Sequence, residues 1–439
     1  MNVHASTRID ADAASPIGAA EAEAFLKQNP QVQYIDCVFA DICGNVRGKR
    51  IARSELEAVY RKGLPVPATI YFLDARGEVA GPSTTPGVAW PVPASLTTVN
   101  WSQRPHGQAL MSLHDANGGP YFGEPRNVLA RALDRFEDMN LIPVVGTSLQ
   151  FHLLERSKGP PQKPAGLDAG RLEDVMAAIA EAAEAQHLPK FKWSSATPGQ
   201  FTLTSTPQAD VCRAGDHAVF LRQIVRAVAR QHEIDATFMA KPFSNIAGNG
   251  LQVSVGLQHP TGETVFDVAS AEGATLLRAA VGGLQALLAE SIAFFAPNVN
   301  AYRRFTSEAS APRNKRWGFA NRTANLSLPG TADEPQMINH RVAGADANPY
   351  LVLAAILAGV HHGIAQQLDP GAAFDGDAAG FVDETLPFTI DGALLTLENG
   401  SIMRGYLGPA YVDLYCATKR TELERFRAFI PPHEFDWYL

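Results

Sequence analysis

The chain has 439 residues, long enough for two or more domains with a sizeable core. Hydrophobic residues make up 46% and charged residues 19%, the balance of a folded protein rather than a disordered one. The formal net charge is -8 and no basic block is present, which argues against a nucleic acid or an anionic membrane as partner. Cys37, Cys43, Cys212 and Cys416 lack the paired spacing of a zinc site and read as reduced thiols of a cytoplasmic protein.

In chain order, residues 1–25 show no cationic start followed by an apolar core, so no signal peptide is expected. A tail of residues leads instead into a short helix near 19–28, and together 1–30 form an N-terminal arm. Residues 31–50 read as a hairpin. VQYIDCVFAD alternates, CGN supplies the turn, and VRGKRIA continues the second strand. From 64 to 125, Pro, Gly and short apolar runs predict small strands and long loops. The character changes at Arg126, where NVLARALDRFEDMN has helical spacing and IPVVGTSLQFHLLE reads as a buried strand. We therefore divide the chain at 125, into 31–125 and 126–439.

The second part predicts helices at 171–187, with acids near its start, and at 218–233. Further helices are expected at 273–296 and at 348–367, with Pro349 in the first turn of the latter. A last helix is expected within 405–429. No apolar run reaches the ~18 residues of a membrane-spanning helix, and no membrane partner is expected.

Five segments carry a resemblance. They are 39–50 (FADICGNVRGKR), 118–129 (GGPYFGEPRNVL), 237–257 (TFMAKPFSNIAGNGLQVSVGL), 298–329 (NVNAYRRF through NRTANLSLP) and 338–351 (INHRVAGADANPYL). In this order they resemble the glutamine synthetase superfamily, over roughly residues 31 to 439. The GADANPYL wording is closest to the branch that ligates glutamate to amines, including the γ-glutamylpolyamine synthetases. The resemblance implies an α+β fold. A small β-grasp domain precedes a catalytic domain whose curved antiparallel sheet forms a funnel with helices outside. It also implies stacked homo-oligomeric rings with the site between neighbouring subunits, so that Asp74 or the 31–50 hairpin would complete a neighbour's pocket. ATP and Mg²⁺ or Mn²⁺ would be the family's cofactors.

The motif frames are intact where the family's metal ligands are replaced. The strand expected to read G-x-E-x-E-F is Gly146-Thr147-Ser148-Leu149-Gln150-Phe151. The segment expected to carry a glutamate and then P-G-Q-x-E runs from Ser195 through Pro198-Gly199-Gln200 to Thr202. Gln252 stands at the histidine position after Gly248-Asn249-Gly250, and Asn339 stands for the glutamate of I-E-x-R. Ser148, Gln150, Ser195, Thr202, Gln252 and Asn339 are thus the former ligand positions, and no metal or cofactor is expected. Hard cations need clustered anionic oxygens, and Mg²⁺ surrenders its water to little else. Ser327 also replaces the arginine of the family's R-x-P, and Ser310 stands where the acidic flap residue belongs.

By the same resemblance Arg304 and Arg341 clamp a substrate carboxylate, and Arg322 contacts phosphate. Guanidinium forks suit both anions. Gly248 leaves backbone room for a ligand or turn. His340 beside Arg341, and Glu308 on the flap, are the candidate acid–base groups. His152 reads as structural and, by alternation, opposite to Phe151. Cys37 and Cys43 read as structural because nothing near them resembles a nucleophile's base.

Three functions remain open on sequence. The first is a pseudoenzyme or repurposed protein that binds a small glutamate-like carboxylate or amine, with co-assembly with an active paralogue as its expected partnership. The second is an ATP-dependent γ-glutamyl-amine ligase. The third is a metal-independent hydrolase, transferase or cyclase acting on a γ-glutamyl amide.

Overall fold

The computed structural model describes residues 16–80, 86–102, 104–157, 163–305, 311–331 and 336–439. The expected N-terminal tail and the flap residues Glu308 and Ser310 lie outside these. Helix α1 (Pro16–Gln28) precedes strand β1 (Tyr34–Ala40), which pairs antiparallel with β2 (Val46–Ala52), as the alternation predicts. The Asp41 carboxylate closes the turn between them, accepting from the Cys43 and Asn45 amides at 3.0 and 2.8 Å. Gly44 takes φ 74°, where a side chain would be strained.

Helix α2 (Leu56–Lys62) and strands β3 (Leu64–Pro67), β4 (Pro86–Pro91), β5 (Thr97–Val99) and β6 (His106–His114) complete a sheet of order β2-β1-β6-β4-β3, with β5 on β6. β1 and β6 run parallel. One face of this sheet closes on its own apolar cluster, around Phe39, Tyr71 and Leu113. Val38, Ala40 and Leu110 belong to the larger core.

Helix α3 (Pro125–Asp134) begins the larger part. Its sheet comprises β7 (Ile142–Glu155), β8 (Phe191–Thr197), β9 (Gln200–Ser205), β10 (Ile234–Thr237), β11 (Leu251–Gln258), β12 (Trp317–Phe319), β13 (Leu326–Leu328) and β14 (Ile338–His340). The order is β12-β13-β14-β11-β7-β9-β8, with β10 on β7, and only β12–β13 among these ladders is parallel. Helices α4 (Ala169–Ala185), α5 (Val211–Gln231), α6 (Ala271–Phe295) and α7 (Pro349–Gln366) lie between these strands and after them in the chain. They are followed by α8 (Ile390–Asn399), α9 (Ser401–Leu407), α10 (Pro409–Arg427) and α11 (Pro432–Tyr438). This is the mixed α+β architecture expected.

Several boundaries differ for local reasons. α4 has no acid in its first turn; the dipole and the free amides are met by Asp168 at the N-cap, bonded to Arg171 N. α5 starts seven residues before the expected 218, at Val211, because Asp210 caps it through Arg213 N at 3.0 Å. Asp210→Ala is expected to cost about 1 kcal/mol of stability, read as a lower denaturation midpoint with an unchanged slope. The expected last helix is split at Gly408, φ 91°, followed by Pro409, and α11 lies beyond it.

α6 and α7 are, by length and composition, apolar enough to cross a membrane, contrary to the sequence expectation. Both are core helices packed on each other, and their most apolar windows are 67% and 72% buried. A Cβ on Gly283 or Gly363 would collide with the facing backbone, so small residues set this approach. α3, α5 and α7 are joined by a buried network. Arg126 donates to Asp216 at 2.9 Å, and the Tyr350 hydroxyl donates to the same carboxylate at 2.8 Å.

Candidate functional site

Alternation along the larger sheet gives it one apolar and one polar face. Leu149, Phe151, Phe201, Leu203, Leu251, Val253, Val255 and Ile338 are buried in the core. The intervening residues line up across strands. Ser327 stands opposite Asn339, Asn339 opposite Ser254, and Ser254 opposite Gly146. A second row joins Gln252, Ser148 and Thr204, and a third joins Gln150, Thr202 and Ser194. Because side chains two apart share a face, the ladder brings Ser148, Gln150, Thr202, Gln252 and Asn339 onto one wall.

Neighbours on that wall bond to one another. The Ser148 and Thr204 hydroxyls are 3.0 Å apart, and Gln150 Oε1 accepts from the Gly250 amide at 2.8 Å. Ser195 is not on the ladder with them. It sits in the irregularity between Ser194 and Thr197, exposed, its hydroxyl donating to the Thr197 carbonyl at 3.2 Å. Among the described residues, no three His, Cys, Asp or Glu side chains gather in a way that would hold a metal ion.

The arginines come together from separate loops. Arg304 ends a short 3₁₀ turn, Ala301–Arg304, and is 2% exposed. Its Nη1 donates to the Val342 carbonyl at 2.8 Å. Burial lowers its pKa to about 10; Asp346 opposes that shift and the charge on Arg341 reinforces it. A Cβ on Gly250 would lie 3.0 Å from Arg304 Nη2 and 3.2 Å from Gln150 Oε1, so glycine here lets the guanidinium reach the wall. Gly248 plays the same part for the arginine stem. Its Cβ would meet Arg304 Cγ at 2.9 Å, and its carbonyl accepts from Gln200 Nε2 at 2.9 Å.

Arg341 follows β14 directly and shares the face of Asn339 by alternation. Its Nη1 is buried without a hydrogen-bond partner among the described residues. Burial first, and then the charge of Arg322, lowers its pKa. Arg322 itself is exposed, in the loop before β13. Arg304, Arg341 and Arg322 therefore share one electrostatic neighbourhood, and Asp346 is the acid that offsets Arg304. Asp346 Oδ2 accepts from Asn298 at 2.8 Å, and its Oδ1 is buried without a partner among the described residues.

His340 faces the other way. It is 1% exposed, pairs in register with Val253 and Leu326, and lies 4.7 Å from the Phe295 ring. Burial pushes its pKa to about 3, so the imidazole is neutral at physiological pH. The structure thus separates His340 from Arg341 and from the polar wall, because neighbours on a strand point to opposite sides. His152 was expected opposite Phe151, with a structural role. It is fully buried, as Phe151 is, two residues beyond Gln150 and against Phe243 at 5.6 Å. Burial, and more weakly the charge of Lys241, lower the His152 pKa to about 4, with Asn249 opposing. Lys241 Nζ donates to the Ile246 carbonyl at 2.7 Å.

Asp346, Lys241, Asn249 and Gln200 belong to this neighbourhood and were not singled out from sequence. All four lie inside the quoted motif frames, which was the available signal.

The glutamine synthetase catalytic-domain model matches residues 122–438. Gamma-glutamylputrescine synthetase PuuA of Escherichia coli is 36% identical over 447 residues, covering 95% of this chain and 94% of that protein. Gamma-glutamylethanolamide synthetase GlnA4 of Streptomyces coelicolor is 28% identical over 462 residues, covering 98% and 96%. The solved structure of apo GmaS without ligand superposes with a TM-score of 0.82 at 25% identity, covering 94% of this chain and 97% of that one. With one relative this similar along nearly its whole length and the family's catalytic domain matched over most of the chain, the protein belongs to the glutamine synthetase family.

Proposed function

We propose that this chain acts on the ligands of γ-glutamyl-amine chemistry, holding a glutamate-like carboxylate between Arg304 and Arg341 and taking an amine as the second ligand. The observation that carries this is the half-buried Arg341 guanidinium, within the electrostatic reach of Arg304 and Arg322, with a buried Nη1 donor that no described residue accepts from. A cation with a buried, unmet donor is stabilised by an anion that accepts from it. The names of the relatives PuuA and GlnA4, both γ-glutamyl-amide synthetases, favour an ATP-dependent γ-glutamyl-amine ligase over a binding protein.

One observation favours a second reading, a binding or regulatory protein without metal chemistry. The wall of Ser148, Gln150, Thr202, Gln252 and Asn339 offers neutral hydroxyls and amides. These do not fit the divalent cations that the family resemblance implies, because such ions are held by carboxylates, phosphate and water. The metal-independent hydrolase reading has little support, since His340, its acid–base candidate, packs in the core.

Incubation with glutamate, putrescine, ATP and Mg²⁺ or Mn²⁺ separates the two. Phosphate release matched by γ-glutamylputrescine is the ligase result. Glutamate binding by calorimetry, with no metal-dependent ATP turnover, is the result of the second reading. Absence of glutamate binding and of turnover removes both.

The same proposal includes ring assembly, association with an active paralogue and a cytoplasmic location; the free cysteines are consistent with the last. It also keeps the division at 125, supported by two sheets that share no ladder among the described residues.

A further inference from the structure

We propose that Cys43 and Lys419 form a peroxide-driven, reductant-reversible sulfur–nitrogen cross-link, with Glu422 carrying the proton. Cys43 lies in the β1–β2 turn and Lys419 on α10. Lys419 is 2% exposed, and its Nζ lies 3.3 Å from Cys43 Sγ and 3.2 Å from Glu422 Oε2. Glu422 Oε2 also accepts from Cys43 Sγ at 3.6 Å and from the Ala75 amide at 3.1 Å. One carboxylate oxygen therefore touches both the nucleophile and the electrophile of the reaction.

The chemistry proceeds in two steps. Cys43 Sγ attacks a peroxide oxygen, the O–O bond breaks, and a sulfenic acid and water result; sulfur loses two electrons and peroxide gains them. Lys419 Nζ, after passing a proton to Glu422, then attacks Sγ. The S–N bond forms, the S–O bond breaks, and the hydroxide leaves as a second water with the proton from Glu422. A thiol, an ammonium and one peroxide thus yield the sulfenamide, two waters and one released proton.

Burial pushes the Cys43 thiol up to about 12, with Lys419 pulling the other way. The resting thiol is protonated, so oxidation is slow and responds to sustained peroxide rather than to trace oxidant. Burial alone would lower the Lys419 pKa, but its hydrogen bond to Cys43 Sγ and the Glu422 carboxylate hold it above its ordinary value, which limits the supply of free amine in the same way.

The link would fasten two structures that meet near the site. Asn348 caps α7 and donates to the Asp41 and Ile42 carbonyls at 2.9 and 3.3 Å, so the Cys43 turn already holds the segment that follows Arg341 and Asp346. Covalent attachment to α10 would restrain that turn.

The test uses the full chain treated with hydrogen peroxide and mapped without reduction. The expected result is one joined pair of peptides containing Cys43 and Lys419, lighter by two hydrogens than their sum and separated by dithiothreitol. A melting temperature raised by peroxide and restored by dithiothreitol should accompany it. Cys43 that stops at sulfinic acid, joins another residue or stays unmodified overturns the proposal. In Lys419→Arg, a sulfenic acid at Cys43 should become trappable by dimedone, whereas the native chain should trap little. Equal trapping in both overturns it too. Should that variant not fold, the native peptide map decides alone.

Discussion

Glutamate at Ser148, Gln150, Thr202 and Asn339 together with histidine at Gln252 is expected to raise the affinity for Mn²⁺ by orders of magnitude. The ladder carries these five positions on one face of β7, β9, β11 and β14, with Gln252 directly opposite Ser148 and Thr202 directly opposite Gln150. Ser195 is left unchanged because it stands in the β8 irregularity, apart from that face. Without a cation, four new carboxylates repel one another, which raises their pKa values and destabilises the folded chain. The variant should therefore melt below the native protein in EDTA.

Mn²⁺ should reverse this. A ligand that binds only the folded state stabilises it by about 2.7 kcal/mol at a hundredfold excess over Kd. Ligating carboxylates must be ionised, so Mn²⁺ affinity should fall as pH drops through their raised pKa values and recover above them. Calorimetric titration of Mn²⁺ into variant and native chains checks the expectation. Equally tight binding by the native chain would remove the metal-free reading and leave the ligase.

Much of this wall was legible because a strand has period two. Ser148 and Gln150 share a face with no knowledge of the fold, and the same parity sets His340 against Asn339 and Arg341. Treating His340 as a partner of Arg341 overlooked that parity, and its burial follows from it. α6 and α7 were legible from their mostly apolar composition, and that apolarity reports core packing as well as a membrane would. The start of α5 was missed because Val211–Gly215 precedes the apolar run, whereas the cap at Asp210 fixes it.

Contacts across long sequence separations were not legible. Cys43 lacks a nearby base in sequence, and its lysine lies 376 residues away. Arg304 and Gln150 both approach Gly250 because a 3₁₀ turn and a β strand converge there, which no local spacing encodes.

Arg341→Ala is expected to weaken binding of a small carboxylate such as glutamate by about ten- to a hundredfold. Hydrogen bonds to charged groups contribute about 1.5–3 kcal/mol, and each 1.4 kcal/mol is a factor of ten in affinity. Arg341 carries this load because its Nη1 is buried and unbonded, while Arg304 Nη1 already serves the Val342 carbonyl at 2.8 Å. Removing Arg341 also removes a charge that lowers the Arg304 pKa, so Arg304 remains protonated and some binding should survive. Arg341→Lys keeps a cation but loses the planar fork, and should fall between the native chain and Arg341→Ala. Arg322 is exposed, so Arg322→Ala should have the smaller effect, and that contribution should fade with added salt as exposed charges are screened. Calorimetry with glutamate at low and high salt reads all three variants. Native affinity in Arg341→Ala would place the carboxylate elsewhere and sink the proposed site, whereas a salt-insensitive loss confined to the Arg341 variants would fix the ligand against the Arg341 guanidinium.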